Sequence, residues 1–251
     1  MRETSSPETT SFANPEELER FRNIRWLRNH WSRPVGPRAY YWYLTFEDCP
    51  ELHSVARECQ KAIAFPYYDV VPLADLHLTL ERIAFDNEIG LDQLRAIEAA
   101  AICACHEIPP FDITIGSLGG TRGAVGFTAA PAQPIRDLCG TLSEATLSAY
   151  PHAPVRDSEL HPHVTIAYAN SDGVPAAEAV AAVEKMNSTA RVDVTIEYAA
   201  LVLLERRQCS YAWQAIAQIP LDGRVLQVQP YGVGELAHLR GERPAVVDDL
   251  R

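Results

Sequence analysis

Leu160-His161-Pro162-His163-Val164-Thr165-Ile166-Ala167-Tyr168 is an apolar, β-prone run in which His163 and Thr165 stand two positions apart. A second run, Leu76-His77-Leu78-Thr79-Leu80, repeats the spacing. Side chains alternate faces along a strand, so His77 shares a face with Thr79, and His163 with Thr165. Leu78, Leu80, Val164 and Ile166 turn the other way and can anchor each strand in a core. Each run presents an imidazole and a hydroxyl to one surface. The runs lie far apart in the chain and form one site only if the fold brings two similar halves together. The same alternation turns Tyr168 away from the histidine face.

Working outward, Asn14-Pro15-Glu16-Glu17 reads as a helix start, with a cap, Pro at the first position and acids in the first turn. Leu18, Phe21, Ile24, Leu27 and Trp31 continue it as one apolar stripe at helical spacing, with Arg20, Arg22, Arg25 and Arg28 off the stripe. Ser32-Arg33-Pro34-Val35-Gly36-Pro37 makes a linker. Residues 40–46 alternate as an aromatic strand. Tyr41, Tyr43 and Thr45 share one face, and the more apolar Trp42, Leu44 and Phe46 face the core. A helix over 50–64 and a short strand or turn at Asp69-Val70-Val71-Pro72 lead to the first His-x-Thr strand, roughly 75–82. A helix follows over 91–105, then a hairpin of strands 111–116 and 124–128 about Gly119-Gly120-Thr121-Arg122-Gly123. Residues 131–150 read as a helix interrupted by Gly140. After the second His-x-Thr strand come a short helix over 176–186 and strands over 192–196, 199–204 and 211–219. Glu205-Arg206-Arg207-Gln208 reads as a polar turn.

This order repeats weakly: strand, helix, His-x-Thr strand, helix, two strands, then helix, His-x-Thr strand, helix, strands. The expected fold class is α+β, bilobal and duplicated. Each half would build an antiparallel sheet, the two sheets facing across a cleft with helices on the outer faces. Residues 1–13 are expected to be disordered, 14–37 to form a helix and linker, 38–220 a single bilobal domain, and 221–251 a tail.

Composition narrows the function. The chain has 251 residues, 47% apolar and 22% charged, within the range of ordinary globular proteins. No apolar run reaches the roughly 18 residues that span a bilayer, and Met1-Arg2-Glu3-Thr4-Ser5-Ser6 opens no apolar signal core. A cytoplasmic, membrane-free monomer is expected. The net charge of −11 argues against long duplex nucleic acid as partner, though not against a small nucleotide or RNA end in a local pocket. The six cysteines form no CxxC pair and read as buried thiols rather than a disulfide frame.

Two imidazoles facing each other can act as base and acid near neutral pH. Hydroxyls beside them can donate to phosphate oxygens. These are the parts needed to cleave a phosphodiester. His161, His163 and His77 have no nearby carboxylate or cysteine to complete a ligand set, so neither metal nor cofactor is expected.

The paired motifs resemble those of the two-histidine (2H) phosphoesterase superfamily, in its 2'-5' RNA ligase-like or RNA cyclic phosphodiesterase branch. The strands over 40–46 and around Tyr211-Ala212-Trp213 are also similar, and the likeness spans roughly residues 38–220. It implies a metal-free site between two lobes, with chemistry on 2',3'-cyclic phosphates or 2'-5' phosphodiesters of nucleotides or RNA ends. By motif match, His77 and His163 would be acid and base, and Thr79 and Thr165 the phosphate donors. The reverse reaction, 2'-5' ligation, uses the same groups, and a non-catalytic module binding a nucleotide or RNA end would keep the same pocket. Tyr168 stands where many relatives acting on RNA carry Arg, and Glu81-Arg82-Ile83-Ala84-Phe85 where relatives often carry Phe-Leu-Gly. Tyr41, Tyr43, Tyr168, Tyr211 and Trp213 are candidates to stack a base. Arg82, Arg122, Arg206 and Arg207, at strand ends or turns, are candidates to steer a phosphate, and His161, two residues before His163, is a candidate to hold substrate if the strand begins that early. His30, His53, His106, His152 and His238 have no motif around them.

Overall fold

The computed structural model describes residues 15–32, 34–186 and 191–223. The start expected to be disordered, and the tail from residue 224, lie outside them. The elements are α1 (Pro15–Arg22), β1 (Arg38–Thr45), α2 (Pro50–Ala62), β2 (Tyr68–Val70), β3 (His77–Phe85), α3 (Leu91–Cys105), β4 (Phe111–Gly120), β5 (Ala124–Ala130), α4 (Ala132–Ala149), β6 (His163–Ala169), α5 (Ala177–Met186), β7 (Arg191–Ile196), β8 (Tyr198–Arg206) and β9 (Tyr211–Pro220). They build a four-stranded sheet, β3-β1-β8-β9, and a five-stranded sheet, β2-β6-β5-β4-β7. Every pairing is antiparallel.

The two expected sheets are present, but they are not built from the two sequence halves. β8 and β9 join β1 and β3, while the hairpin β4–β5 joins β6. Helix α2, which leads from β1 of one sheet to β2 of the other, packs with α5 over β6 and β7. Helices α3 and α4 pack on each other and against β9 and β3. Element order reports chain connection, whereas partner choice follows which apolar faces fit, so a repeat in order need not be a repeat in space.

The core faces follow the sequence pattern. Leu94, Ile97, Ala101 and Cys105 form the buried stripe of α3. Trp42, Leu44 and Phe46 are buried as expected. The Trp42 indole N–H donates to Thr146 Oγ1 of α4 at 2.9 Å, which satisfies a buried donor and pins β1 to its helix. Gly140 does not interrupt α4. Burial of Ile135, Leu138, Cys139 and Leu142 outweighs the roughly 1 kcal/mol that an interior glycine costs. All six cysteines are free; Cys59, Cys105 and Cys139 are buried, and Cys103 and Cys209 are exposed. Among the described residues no helix is long and apolar enough to cross a membrane.

The amino-terminal stripe buries as read but does not stay helical. Phe21, Leu27 and Trp31 are buried, yet α1 ends at Arg22. Residues beyond it run as a strap across the five-stranded lobe. Leu27 N–H donates to the Val174 carbonyl at 2.8 Å, Gly173 N–H to Leu27 at 3.1 Å, and Arg28 N–H to Arg122 at 2.8 Å. Backbone partners from another part of the chain replace the intrahelical ones.

Candidate active site

His77 and His163 are each the first residue of a strand, β3 and β6, and these strands pack against each other between the lobes. The same device holds both rings. His77 Nδ1 donates to the Asp75 carbonyl at 2.7 Å, and His163 Nδ1 to the His161 carbonyl at 2.8 Å. A carbonyl only accepts, so the neutral ring carries its proton on Nδ1 and keeps the Nε2 lone pair for chemistry.

The threonines are paired as well. Thr79 shares a side-chain hydrogen bond with the Tyr43 phenol, and Thr165 with the Tyr168 phenol. Tyr43 comes from β1, where it lies opposite Thr79. Tyr168 follows Thr165 on β6 itself, so strict alternation would put it on the far face. It does not do so because β6 carries one extra residue: Gly126 faces Thr165 while Val125 faces Ala167. This bulge at Ile166 resets the period and returns Tyr168 to the histidine side. A Cβ at Gly126 would lie 2.6 Å from the Val164 carbonyl, so the close approach of β5 to β6 here requires glycine. Two shifts in β3 act alike. Tyr41 faces Arg82 and Tyr43 faces Thr79, so Arg82 lies on the cleft side within the strand, not at its end.

Burial pushes both phenols up. Tyr43 stands well above its usual range, through desolvation and then the neighbouring Tyr168 and Tyr41, while its bond to Thr79 opposes the shift. Tyr168 is raised by desolvation and then by Tyr211, again opposed by its threonine.

The histidines differ in setting. The His77 ring stacks on Tyr43, with centroids 4.1 Å apart and planes 6° apart, and meets the edge of Trp213 at 6.2 Å. Desolvation lowers its pKa from 6.5 to about 4, against the raising effect of the Asp75 carbonyl, and nearby His163 adds a smaller lowering. The Trp213 indole N–H donates to the same Asp75 carbonyl at 3.4 Å. His163 is exposed and lines a cavity of about 660 Å³ with His161, Thr165, Thr128 and Tyr168.

The other candidates fall as follows. Tyr41 lies partly buried beside Tyr43, centroids 5.8 Å apart. The Arg82 guanidinium lies 4.7 Å from the Phe85 ring centroid. Arg122 Nε donates to the Trp26 carbonyl at 3.1 Å and so ties down the strap. Tyr211 shares a 2.8 Å hydrogen bond with His30 Nε2. Arg206, expected in a solvated turn, is buried at the end of β8, donates to the Pro34 carbonyl at 3.1 Å and lies over Trp31. Sequence reasoning missed His30, which stacks on Tyr168 at 4.1 Å, and the cavity position of Arg20. His30 belongs to no motif, so only the tertiary fold reveals it. Among the described residues no group of three or more His, Cys, Asp or Glu is placed to hold a metal ion.

A family model described as 2'-5' RNA ligase superfamily matches residues 47–208. Among solved structures, the protein TT0787 of Thermus thermophilus superposes with a TM-score of 0.57 at 19% identity, covering 75% of this chain and 100% of that one. E. coli LigT complexed with 3'-AMP gives a TM-score of 0.56 at 17% identity, covering 74% and 98%. A conserved protein of unknown function from Agrobacterium tumefaciens, ATU0111, gives 0.51 at 12% identity, covering 72% and 86%. No curated protein matches by sequence.

Proposed function

Because the chain belongs to the 2'-5' RNA ligase superfamily of two-histidine phosphoesterases, we propose that it is a metal-independent phosphodiesterase. Its substrates are 2',3'-cyclic phosphates or 2'-5' phosphodiesters of small nucleotides or RNA ends. The observation that carries this reading is the twofold one: two imidazoles, each with Nδ1 fixed on the carbonyl two residues before it.

In hydrolysis of a cyclic phosphate, Nε2 of one histidine takes a proton from the attacking water. The Nε2–H of the other, protonated histidine gives one to the departing ribose oxygen. The phosphorus gains the water oxygen and loses one ribose oxygen, and the two rings exchange protonation states. His77 suits the base, since its desolvated ring is neutral across the physiological range. His163, exposed at the cavity, suits the acid. An entering phosphate anion raises the pKa of the His77 ring and so improves it as a base.

The threonines supply donors to the non-bridging oxygens. Each has a single hydroxyl proton. If the tyrosine phenol donates to threonine Oγ1, that proton is left for the phosphate. This needs Tyr43 and Tyr168 to stay protonated, which their raised pKa values favour. Small nucleotides as ligands are supported by the fold neighbours, since E. coli LigT has been solved with 3'-AMP, NADP+ and ATP.

The decisive experiment is a turnover screen of nucleoside 2',3'-cyclic phosphates and 2'-5' dinucleotides, with and without EDTA, for wild type and a His77→Ala, His163→Ala double variant. Product from wild type, unaffected by EDTA and absent from the variant, supports the reading. Tight nucleotide binding without product would instead favour a binding module.

A further inference from the structure

The cavity beside His163 has a wall that the matched family region does not supply. Arg20, Ile24 and His30 line it, and all three precede residue 47, where the family match begins. This wall is built into the lobe. Phe21 lies flush on Gly120 of β4, where an added Cβ would stand 2.8 Å from its ring. Hydrogen bonds from Leu27 to Val174 and from Arg28 to Arg122 hold the strap that follows.

The chemistry of the cavity is one-sided. Its described lining includes Arg20, His30, His161 and His163 but no Asp or Glu, in a chain of net charge −11. Ile24, Leu118, Val125 and Phe127 offer apolar surface beside these groups. At about 660 Å³ it falls within the roughly 300–1,000 Å³ of small-ligand sites. Length along β5 places the charges. Thr128 pairs with His163, and Ala124 with Tyr168. Those four residues span about 13 Å of strand. Gly120, under Phe21, pairs with Val125 near the Ala124 end, so Arg20 enters at the end away from His163. The interval suits one nucleoside plus the reach of an arginine side chain.

Resting on the phosphodiesterase reading above, we infer that the substrate is mononucleotide-sized and carries a second phosphoryl group on its 5' side. Arg20 binds that group, and the amino-terminal strap is a specificity element. The phosphate undergoing reaction sits at the two histidines, the nucleoside lies along the apolar wall, and the 5' phosphoryl group meets the guanidinium.

The test is calorimetric binding of adenosine 3',5'-bisphosphate and of 3'-AMP to wild type, Arg20→Ala and Arg20→Lys. Wild type should bind the bisphosphate at least about tenfold more tightly. Arg20→Ala should abolish that preference while leaving 3'-AMP within about twofold, and Arg20→Lys should restore part of it. Equal loss for both ligands, or no preference in wild type, overturns the inference. Turnover of 2',3'-cyclic AMP by wild type is measured separately. Its absence would overturn the phosphodiesterase reading, while the binding preference still decides the role of Arg20.

Discussion

The Tyr168 phenol is hydrogen-bonded to Thr165, three residues earlier in the same strand. Side chains at that spacing lie on opposite faces of a regular strand. The extra residue in β6 opposite β5 brings them together, and it gives the second lobe the threonine–tyrosine pair that the first lobe assembles from two strands, Thr79 with Tyr43. Tyr168→Phe should therefore lower kcat by about tenfold, the size of one hydrogen bond to a charged centre, and change KM little. A Tyr168→Phe, Thr165→Val double variant should be hardly slower than Thr165→Val alone. Fully additive losses in a steady-state cycle would separate the two residues.

His77→Ala and His163→Ala should each reduce turnover of a 2',3'-cyclic phosphate by roughly 10²–10⁴, the usual effect of removing an acid or a base. Both should still bind 3'-AMP. A single variant with near-wild-type kcat would sink the two-histidine mechanism.

The desolvated, partly buried setting of His77 makes stability depend on pH. The folded ring has a pKa of about 4 against 6.5 for the free side chain. Below pH 6.5 the unfolded chain takes up a proton that the folded ring refuses, so stability falls as pH drops from 6.5 towards 4. The full loss is about 3 kcal/mol. His77→Gln lacks this slope. Urea unfolding of both proteins across that window should show the difference, and parallel curves would contradict it. The facing groups are Tyr43, Trp213 and His163, with the Asp75 carbonyl on Nδ1. Added phosphate should raise the His77 midpoint in an NMR titration.

Glu81 links the first motif strand to the loop before the second. Its buried carboxylate accepts the Arg82 N–H at 3.0 Å, the Arg156 N–H at 3.1 Å and Arg156 Nε at 3.3 Å. Glu81→Leu leaves those donors unpaired and should cost about 3 kcal/mol in unfolding free energy. It should also lower kcat, because the loop leading to His161 and His163 loses its tie to β3. A change of less than about 0.5 kcal/mol, typical of a surface site, would contradict this.

Much of the fold is legible in local pattern. The aromatic alternation over 40–46, the stripe Leu94, Ile97, Ala101 and Cys105, and the two His-x-Thr runs report strands, a helix and a site directly, because period and burial are coupled within one element. The amino-terminal stripe shows the limit of that coupling. Phe21, Leu27 and Trp31 are apolar because they are buried, and burial along a helix end, an extended strap and a 3-10 turn leaves much the same spacing as burial on one helix.

The sequence by itself determined that two imidazole–hydroxyl pairs exist, that each lies on a strand, and that the chain forms antiparallel sheets with helices. Those properties are local, read from neighbours two to four residues apart. Only the tertiary structure decided which strands share a sheet, that Tyr168 and Arg82 lie on the cleft side, and that Arg20 and His30 reach the cavity. Each depends on a partner distant in the chain: a bulge is one residue left unpaired by the opposite strand, and a cavity wall is whatever backbone packs across it.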